Sequence, residues 1–374
     1  MTAAKKGKGK RIVLGFFIGL NLLFVLMLLI SYLAPYVSPA RFWPLAFFGL
    51  AYPVLLAVNL LFVILWLLLW KRYIWISLIA VAIGISHVLS FMQFHLRDTG
   101  AAPGSALKVL SFNVHNLYGV TQKQNPEIVS RVFDFLIRQH PDILALQELD
   151  IKNADTTVLT RIASATRARN IFYRNYYETR EQKRINALAI FSRFPIIRNG
   201  YFRLNERAVF GIFTDVVIRG DTFRVFSLHL ESYHFGRQDY SFYEQLTEKE
   251  TEQFKLGEGS MKIFAKLRKA FVIRAQQAEV VKRSIEESPY PVIVCGDFND
   301  TPVSYTYHEL TGTLDDSFKK AGKGLFGNTF AGNFPSFRID YILFNRTFRA
   351  YDYQKYQVEL SDHYPVSVML DVAP

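Results

Sequence analysis

Residues 292–299 read Val-Ile-Val-Cys-Gly-Asp-Phe-Asn. The β-rich run Val292–Cys295 predicts a strand, and an acid and an amide, Asp297 and Asn299, follow its end. The same grammar recurs along residues 107–374. Asn113 ends Val-Leu-Ser-Phe-Asn, and His115 shares its face by period-two alternation. Glu148 ends Ile-Leu-Ala-Leu-Gln-Glu, and His229 and Glu231 end Phe-Ser-Leu-His-Leu-Glu. Asp340 sits in Phe-Arg-Ile-Asp-Tyr-Ile-Leu, and Asp362 and His363 precede Tyr-Pro-Val. Singly, each reads as an ordinary turn or cap residue. Six strand ends that all carry Asn, Asp, Glu or His are hard to assign to turns alone.

Around these ends the pattern predicts strands at Leu107–Asn113, Ile143–Glu148, Ala187–Phe191, Phe213–Ile218, Phe223–Leu230, Val292–Cys295, Arg338–Leu343 and Pro365–Leu370. Helical periodicity covers Glu127–Gln139 and about Ser260–Ser288. Strands and helices interleave, so the class is α/β or α+β in one domain. The charged and aromatic stretch Ser232–Gly259 interrupts the pattern and reads as a solvated insertion or a lid.

The residue types narrow the chemistry. The chain has one cysteine, Cys295, which excludes an intramolecular disulfide and any multi-cysteine zinc or iron–sulfur site. It has no Gly-rich phosphate loop and no Gly-x-Ser-x-Gly elbow. Carboxylates and amides are hard oxygen ligands that suit Mg²⁺ or Mn²⁺. Histidines with carboxylate partners suit proton transfer or contact with an anionic oxygen. Together these are equipment for attack by water on a phosphate ester.

Ser-Phe-Asn (111–113), Leu-Gln-Glu (146–148), Ser-Leu-His-Leu (227–230), Gly-Asp-Phe-Asn (296–299), Arg-Ile-Asp-Tyr-Ile (338–342) and Ser-Asp-His-Tyr-Pro-Val (361–366) resemble, in this order, the endonuclease/exonuclease/phosphatase superfamily of deoxyribonuclease I-like enzymes. The resemblance covers about residues 107–372 and is that of a membrane-anchored bacterial member. It implies a four-layer α/β sandwich with the site at one end. It implies Glu148 as principal metal ligand, with Asn113 and Asp362 near the metal and phosphate, and Mg (or Mn) as cofactor. Asp297 resembles the residue that orients or deprotonates the attacking water, and Asn299 its helper on a phosphate oxygen. Asp340 resembles the carboxylate that orients His363, which contacts the phosphate. His229 resembles the histidine that assists the leaving group. Relatives carry a Gly about three residues before Ile-Phe-Ser-Arg-Phe-Pro (190–195). Here Ala187 follows Asn186, which implies a changed turn beside the site. His115, Arg184 and Arg274 have no family role and read as core hydrogen-bonding or surface groups.

Residues 1–97 are of another kind. Ile12–Leu33, Phe42–Trp70 and Tyr73–Phe94 run without a charge. Each is long enough for a membrane helix, for which about 20 apolar residues suffice. The expected spans are about 12–33, 43–70 and 73–95, the third being the most polar. Lys5, Lys6, Lys8, Lys10 and Arg11 precede the first, Arg41 alone follows it, and Lys71 and Arg72 precede the third. That alternation places the N-terminus inside. With three spans the part beyond residue 97 then lies on the periplasmic or extracytoplasmic side of an inner or plasma membrane. Residues 98–106 read as a linker, and 107–374 as the catalytic domain.

The net charge of +12 does not indicate polyanion binding. Nine Lys/Arg against the single acid Asp98 give residues 1–100 a charge of +8, and only +4 belongs to the rest. The expected partners are the bilayer, through the N-terminal helices, and a phosphoester substrate; no protein partner is implied. The leading reading is a membrane-tethered, Mg-dependent phosphodiesterase or phosphatase. A nuclease acting on DNA or RNA is the alternative within the class, and a catalytically silent interaction module the alternative outside it. A transporter is disfavoured because the spans carry no acid.

Overall fold

The computed structural model describes residues 2–93, 100–117, 119, 126–152, 156–176, 184–205, 208–233, 253–324, 327–332 and 337–372. Helix α1 (Thr2–Ser31) is followed by a short α2 (Pro39–Phe42) and by α3 (Pro44–Leu69). The segments Gly9–Tyr36 and Pro44–Leu69 are long and apolar enough to cross a membrane. The third apolar stretch, expected as a span over about 73–95, is broken near its middle. It forms α4 (Trp75–Ile83) and α5 (Ile85–Phe91), bent by 66°. Gly84 stands at the break, where a side chain would run into the ring of Tyr32. The Tyr32 hydroxyl donates to the Ala80 carbonyl at 3.0 Å, and His87 stacks on the same ring. The bend thus has a packing cause, at a residue of poor helix propensity.

Polar side chains tie these helices together. Trp66 Nε1 donates to Asn21 Oδ1 (2.7 Å), Asn21 Nδ2 to Ser77 Oγ (2.6 Å), and Ser77 Oγ to Asn59 Oδ1 (3.0 Å). All four residues are fully buried, and each donor finds an acceptor, so the network specifies one packing of α1, α3 and α4.

Among the described residues, twelve strands follow. The first sheet has the order β11-β12-β1-β2-β4-β3, built from β1 (Leu107–Asn113), β2 (Ile143–Lys152), β3 (Asn170–Asn175), β4 (Arg184–Ser192), β11 (Phe348–Lys355) and β12 (Val366–Val372). The second has the order β5-β6-β7-β8-β10-β9, built from β5 (Ile196–Arg203), β6 (Val209–Ile218), β7 (Asp221–His229), β8 (Val292–Asp297), β9 (Leu314–Asp316) and β10 (Asp340–Asn345). Leu107 and Val109 of β1 turn inward to meet Ile293 and Cys295 of β8 between the sheets. Leu110 and Phe112 turn outward onto Val132, Phe135 and Leu136 of α6 (Pro126–Gln139), beside α7 (Thr157–Thr166). Val292 and Val294 turn outward onto Ala278 and Val281 of α8 (Gln253–Glu286). Strand alternation therefore produces helix, sheet, sheet, helix: the four layers expected. Emptying one such site, as in Phe112→Ala, costs about 3–5 kcal/mol.

Two short helices complete the second half. Ser304 caps α9 (Tyr305–Thr311), accepting from the Tyr307 N–H at 3.1 Å, and Asp316 caps α10 (Ser317–Ala321), accepting from the Phe318 N–H at 2.9 Å. Residues 234–252, most of the Ser232–Gly259 insertion, lie outside the described residues, as do Asp98 and Thr99 of the linker. The backbone of 253–259 already belongs to α8, which begins before the expected Ser260. Ala187 lies inside β4, paired with Leu149 and Asn175 and fully buried. Position 187 is mid-strand, so the changed turn expected there does not occur.

The topology gathers strand ends on one edge. β1 pairs parallel with β2, and β7 parallel with β8, so the carboxyl ends of all four lie together. β10 runs antiparallel to β8 with Asp340 opposite Asp297, and β12 runs antiparallel to β1 with Val366 opposite Ser111. Both therefore begin where the other four end.

Candidate active site

Asp297 is the centre of the cluster. Its Oδ1 accepts from the Asn299 N–H at 2.8 Å, and its Oδ2 accepts from Asn113 Nδ2 at 3.0 Å. The same Oδ2 lies 3.7 Å from Nε2 of His229 and 3.7 Å from Nε2 of His363. Gly296 makes this approach possible. Its φ is +143°, and a Cβ there would collide with the Leu228 carbonyl of β7. Burial raises the Asp297 carboxyl, and with Asp340 beside it outweighs the opposing pull of His363 and His229, pushing it up to about 6.

Glu148 reaches the same point from the other sheet. The β2–β4 register shifts between Leu146 and Leu149, and Glu148 takes φ +52° in that bulge. A bulge re-aims a side chain at the cost of local backbone strain. Here it brings Glu148 Oε1 to 3.1 Å from Asn113 Nδ2 and 3.3 Å from His229 Nε2. Burial works against the charge on Glu148, but His229, the Asn113 hydrogen bond, His115 and His363 outweigh it and hold the carboxyl below its ordinary range. One amide donor thus bridges two carboxylates, one from each sheet.

The second histidine is held separately. His363 Nδ1 lies 3.0 Å and 3.2 Å from the two oxygens of Asp340. Burial opposes charge on His363, yet Asp340 and Asp297 prevail and hold it well above the ordinary histidine value. Thr329 Oγ1 accepts from the N–H groups of Ile339 and Asp340, 3.0 Å each, which fixes the start of β10. Ser361 Oγ donates to the Asn113 carbonyl at 2.8 Å and accepts from the His363 N–H at 3.2 Å, clamping β1 to the Asp362–His363 turn.

Every site residue expected from the sequence lies at this end, in two shells. Asn113, Glu148, His229, Asp297, Asp340 and His363 meet directly. Asp362 stands at the rim, 3.2 Å from His115 Nδ1 and 4.0 Å from His363 Nε2. Asn299 Nδ2 donates to the Leu230 carbonyl at 3.0 Å, so its amide nitrogen points into the loop. Among the described residues, Asp297, Asp340 and His363 form a group of metal-competent atoms, all within 4.8 Å of one another. That trio differs from the Asn113, Glu148 and Asp362 set expected to hold a metal.

Sequence reasoning missed one participant, Tyr176, and read His115 and Arg274 only as core hydrogen-bonding or surface groups. Tyr176, just after β3, accepts from the Glu148 N–H at 3.0 Å and lies 2.8 Å from His229 Nδ1. Burial and the Glu148 charge hold its phenol well above the ordinary value, so it keeps its proton. When that proton is donated to Nδ1 of a neutral His229, the ring proton lies on Nε2, facing Glu148 and Asp297. No strand-end signal marks Tyr176, because a tyrosine in Phe-Tyr-Arg-Asn-Tyr (172–176) reads as strand packing. His115 donates its N–H to Asn113 Oδ1 at 3.0 Å and carries Asp362. Arg274 is fully buried, with Nε on Asp300 (3.2 Å), Nη1 on the Glu231 carbonyl (2.9 Å) and Nη2 on the Tyr233 hydroxyl (3.0 Å). Its signal was its place on the apolar face of α8. The side chain of Arg184 lies outside the described residues.

Hard oxygens converge from both sheets, and the pair formed by Glu148 Oε1 and Asp297 Oδ2 shares a single amide hydrogen donor. This donor set fits a hard divalent cation.

Comparison with known proteins agrees with the geometry. Residues 110–363 match the model of the Endonuclease/Exonuclease/phosphatase family, and residues 12–91 match a model described as a domain of unknown function, DUF8431. No curated protein matches. Among solved structures, an endonuclease/exonuclease/phosphatase family protein from Leptotrichia buccalis is 17% identical, with a TM-score of 0.51 over 71% of this chain and 100% of that one. One from Beutenbergia cavernae is 15% identical, with a TM-score of 0.53 over 72% of each chain. The catalytic domain of human Nocturnin, with a bound sulfate anion, is 15% identical, with a TM-score of 0.50 over 72% of this chain and 94% of that one. At such identities the structures establish the fold alone. With the match over residues 110–363, the chain belongs to the endonuclease/exonuclease/phosphatase family.

Proposed function

We propose that the chain is a membrane-tethered, divalent-metal-dependent hydrolase of phosphoester bonds, with its catalytic domain outside the cytoplasm. Members of the family are typically hydrolases acting on phosphoesters. The observation that carries the reading is the convergence of Glu148, Asn113, Asp297 and His229 on one point, with the His363–Asp340 pair 3.7 Å away at Asp297.

In this reading Glu148 would hold Mg²⁺ or Mn²⁺, with Asn113 and Asp362 near it. The ion, when bound, supplies charge neutralisation on the phosphate and a more acidic water. Asp297 Oδ2 takes the proton of the attacking water. The Asn299 N–H keeps the other oxygen occupied, so the free lone pairs face the site. His363, kept cationic by Asp340, binds a phosphate oxygen and opposes the charge that develops there. His229, with Nε2 facing the site, donates a hydrogen bond to the leaving oxygen and opposes the charge that develops there.

Contacts among the apolar helices support the tethering. At one end Trp66 packs on Tyr73, next to Lys71 and Arg72. At the other Tyr52 packs on Phe91 and Tyr32 on His87. The bent α4–α5 pair thus travels from the Lys71 end to the Tyr32 end. Three crossings set the catalytic domain on the side of Arg41, opposite Lys5–Arg11.

The test is hydrolysis of bis-p-nitrophenyl phosphate by the detergent-purified full chain. We expect activity with Mg²⁺ or Mn²⁺, none in excess EDTA, and none for Glu148→Gln at unchanged thermal stability. Full activity in EDTA would overturn the metal-dependent reading.

A further inference from the structure

We propose that the Met261–Lys269 portion of α8 rests on the headgroup layer of an anionic bilayer and sets the mouth of the active site at that depth. The inference rests on the membrane tethering proposed above and is independent of the catalysis.

The first observation is continuity with the apolar helices. Phe264 stacks on Phe47 near the start of α3, with ring centroids 4.5 Å apart, and meets Trp43 edge-on at 5.3 Å. Phe271, two turns on, meets Phe47 at 5.1 Å, and the Arg268 guanidinium lies 5.0 Å over the Trp43 ring. Residues 261, 264, 268 and 271 share one helix face by i, i+3, i+4 spacing. That face therefore lies along the start of α3, at the level where aromatic side chains settle among headgroups.

The second observation is what the helix leaves uncovered. Met261 is 68% exposed and Phe264 37%, although Phe264 is already stacked on Phe47. Exposed beside them are Lys262, Arg268 and Lys269. No acid occurs between Glu258 and Glu279. Apolar side chains flanked by basic ones on a helix are what an anionic lipid surface binds. A protein partner would leave the continuity with α3 unexplained.

The third observation links this surface to the catalytic loop. Arg274, one turn beyond Phe271, holds Asp300, the residue after Asn299, and the Glu231 carbonyl, two residues after His229. Val303, four residues beyond Asn299, is buried among Leu28, Tyr32 and Tyr52 of the apolar helices. The rim of the site and the first half of α3 thus share their packing.

The lone native thiol, Cys295, is buried, so an introduced cysteine can be labelled selectively. Met261→Cys and Leu61→Cys in the full chain would carry a bimane, and the chain would be reconstituted in phosphatidylcholine vesicles with and without phosphatidylglycerol. Leu61 is 63% exposed in the middle of α3. We expect the label at 61 to be quenched by a deep acyl-chain quencher. We expect the label at 261 to be quenched by a headgroup-level quencher, more strongly with phosphatidylglycerol. Lys262→Glu with Lys269→Glu should return the label at 261 to the level of a water-exposed control. Quenching at 61 without any at 261 would overturn the inference and leave the tether standing. No quenching at 61 would remove the tether and this inference with it. Equal quenching at 261 in both lipid mixtures would overturn the anionic assignment.

Discussion

Tyr176→Phe removes one oxygen and keeps the ring. That oxygen accepts from the Glu148 N–H at 3.0 Å and serves His229 Nδ1 at 2.8 Å. The Glu148 nitrogen has no easy escape, because the residue is pinned at φ +52° in the β2 bulge. A buried N–H without an acceptor costs about 1–3 kcal/mol. For a domain of this size that lowers the melting temperature by roughly 2–12 °C, at about 2–4 °C per kcal/mol. His229 loses the donor that keeps its proton on Nε2. With a net hydrogen-bond worth of about 1–2 kcal/mol, kcat should fall roughly 5–30-fold. KM should change little, because the oxygen faces the histidine and not the substrate. The assay is steady-state hydrolysis of bis-p-nitrophenyl phosphate by the full chain, with thermal unfolding of the same preparation. A lowered melting temperature with unchanged kcat would refute the tautomer argument and leave Tyr176 a purely structural residue.

Asp297→Asn and His363→Ala should each lower kcat by about 10²–10⁴-fold, and the double variant should be barely worse than either, since both act on the same transition state; multiplicative losses would assign them separate roles. His363 also makes stability depend on pH. Its pKa in the folded chain is raised, so its contribution is complete below about 6.5, its unfolded value, and is lost as pH rises through the raised one. Melting temperature against pH should show this alkaline loss, and Asp340→Asn should abolish it. A C-terminal alkaline phosphatase fusion should be active and a C-terminal green fluorescent protein fusion dark; the reverse pattern would put the catalytic domain inside.

The strands legible in the sequence and those that were not differ in place. The eight expected from residues 107–374 are all present, and they are the interior strands of both sheets. The four not foreseen, β3, β5, β9 and β11, are the four edges. An interior strand is packed on both faces and reads as a continuous apolar run, as in Val-Ile-Val-Cys (292–295). An edge strand is half solvated, as the mostly intermediate and exposed residues of Ile196–Arg203 show, and its pattern dissolves into polar residues. The bend in the third apolar stretch was not legible for a similar reason. Its length and apolarity are local, whereas its bend comes from Tyr32, 52 residues upstream of Gly84.

The sequence by itself determined the family, the strand-end residues and the apolar stretches, because each is written in a short window whose chemistry needs no neighbour. Gly-Asp-Phe-Asn carries its turn, its acid and its amide within four residues. Only the tertiary structure decided how those windows meet. The parallel pairs β1–β2 and β7–β8 bring Glu148 and Asp297, 149 residues apart, onto one Asn113 amide. A backbone bulge aims Glu148, and the Tyr176 hydroxyl joins the Glu148 N–H to His229 Nδ1. The hold of Val303 and Arg274 on the catalytic loop depends on α3 and α8 packing side by side. These are long-range contacts between buried groups, and their energy exists only once the chain has closed around them.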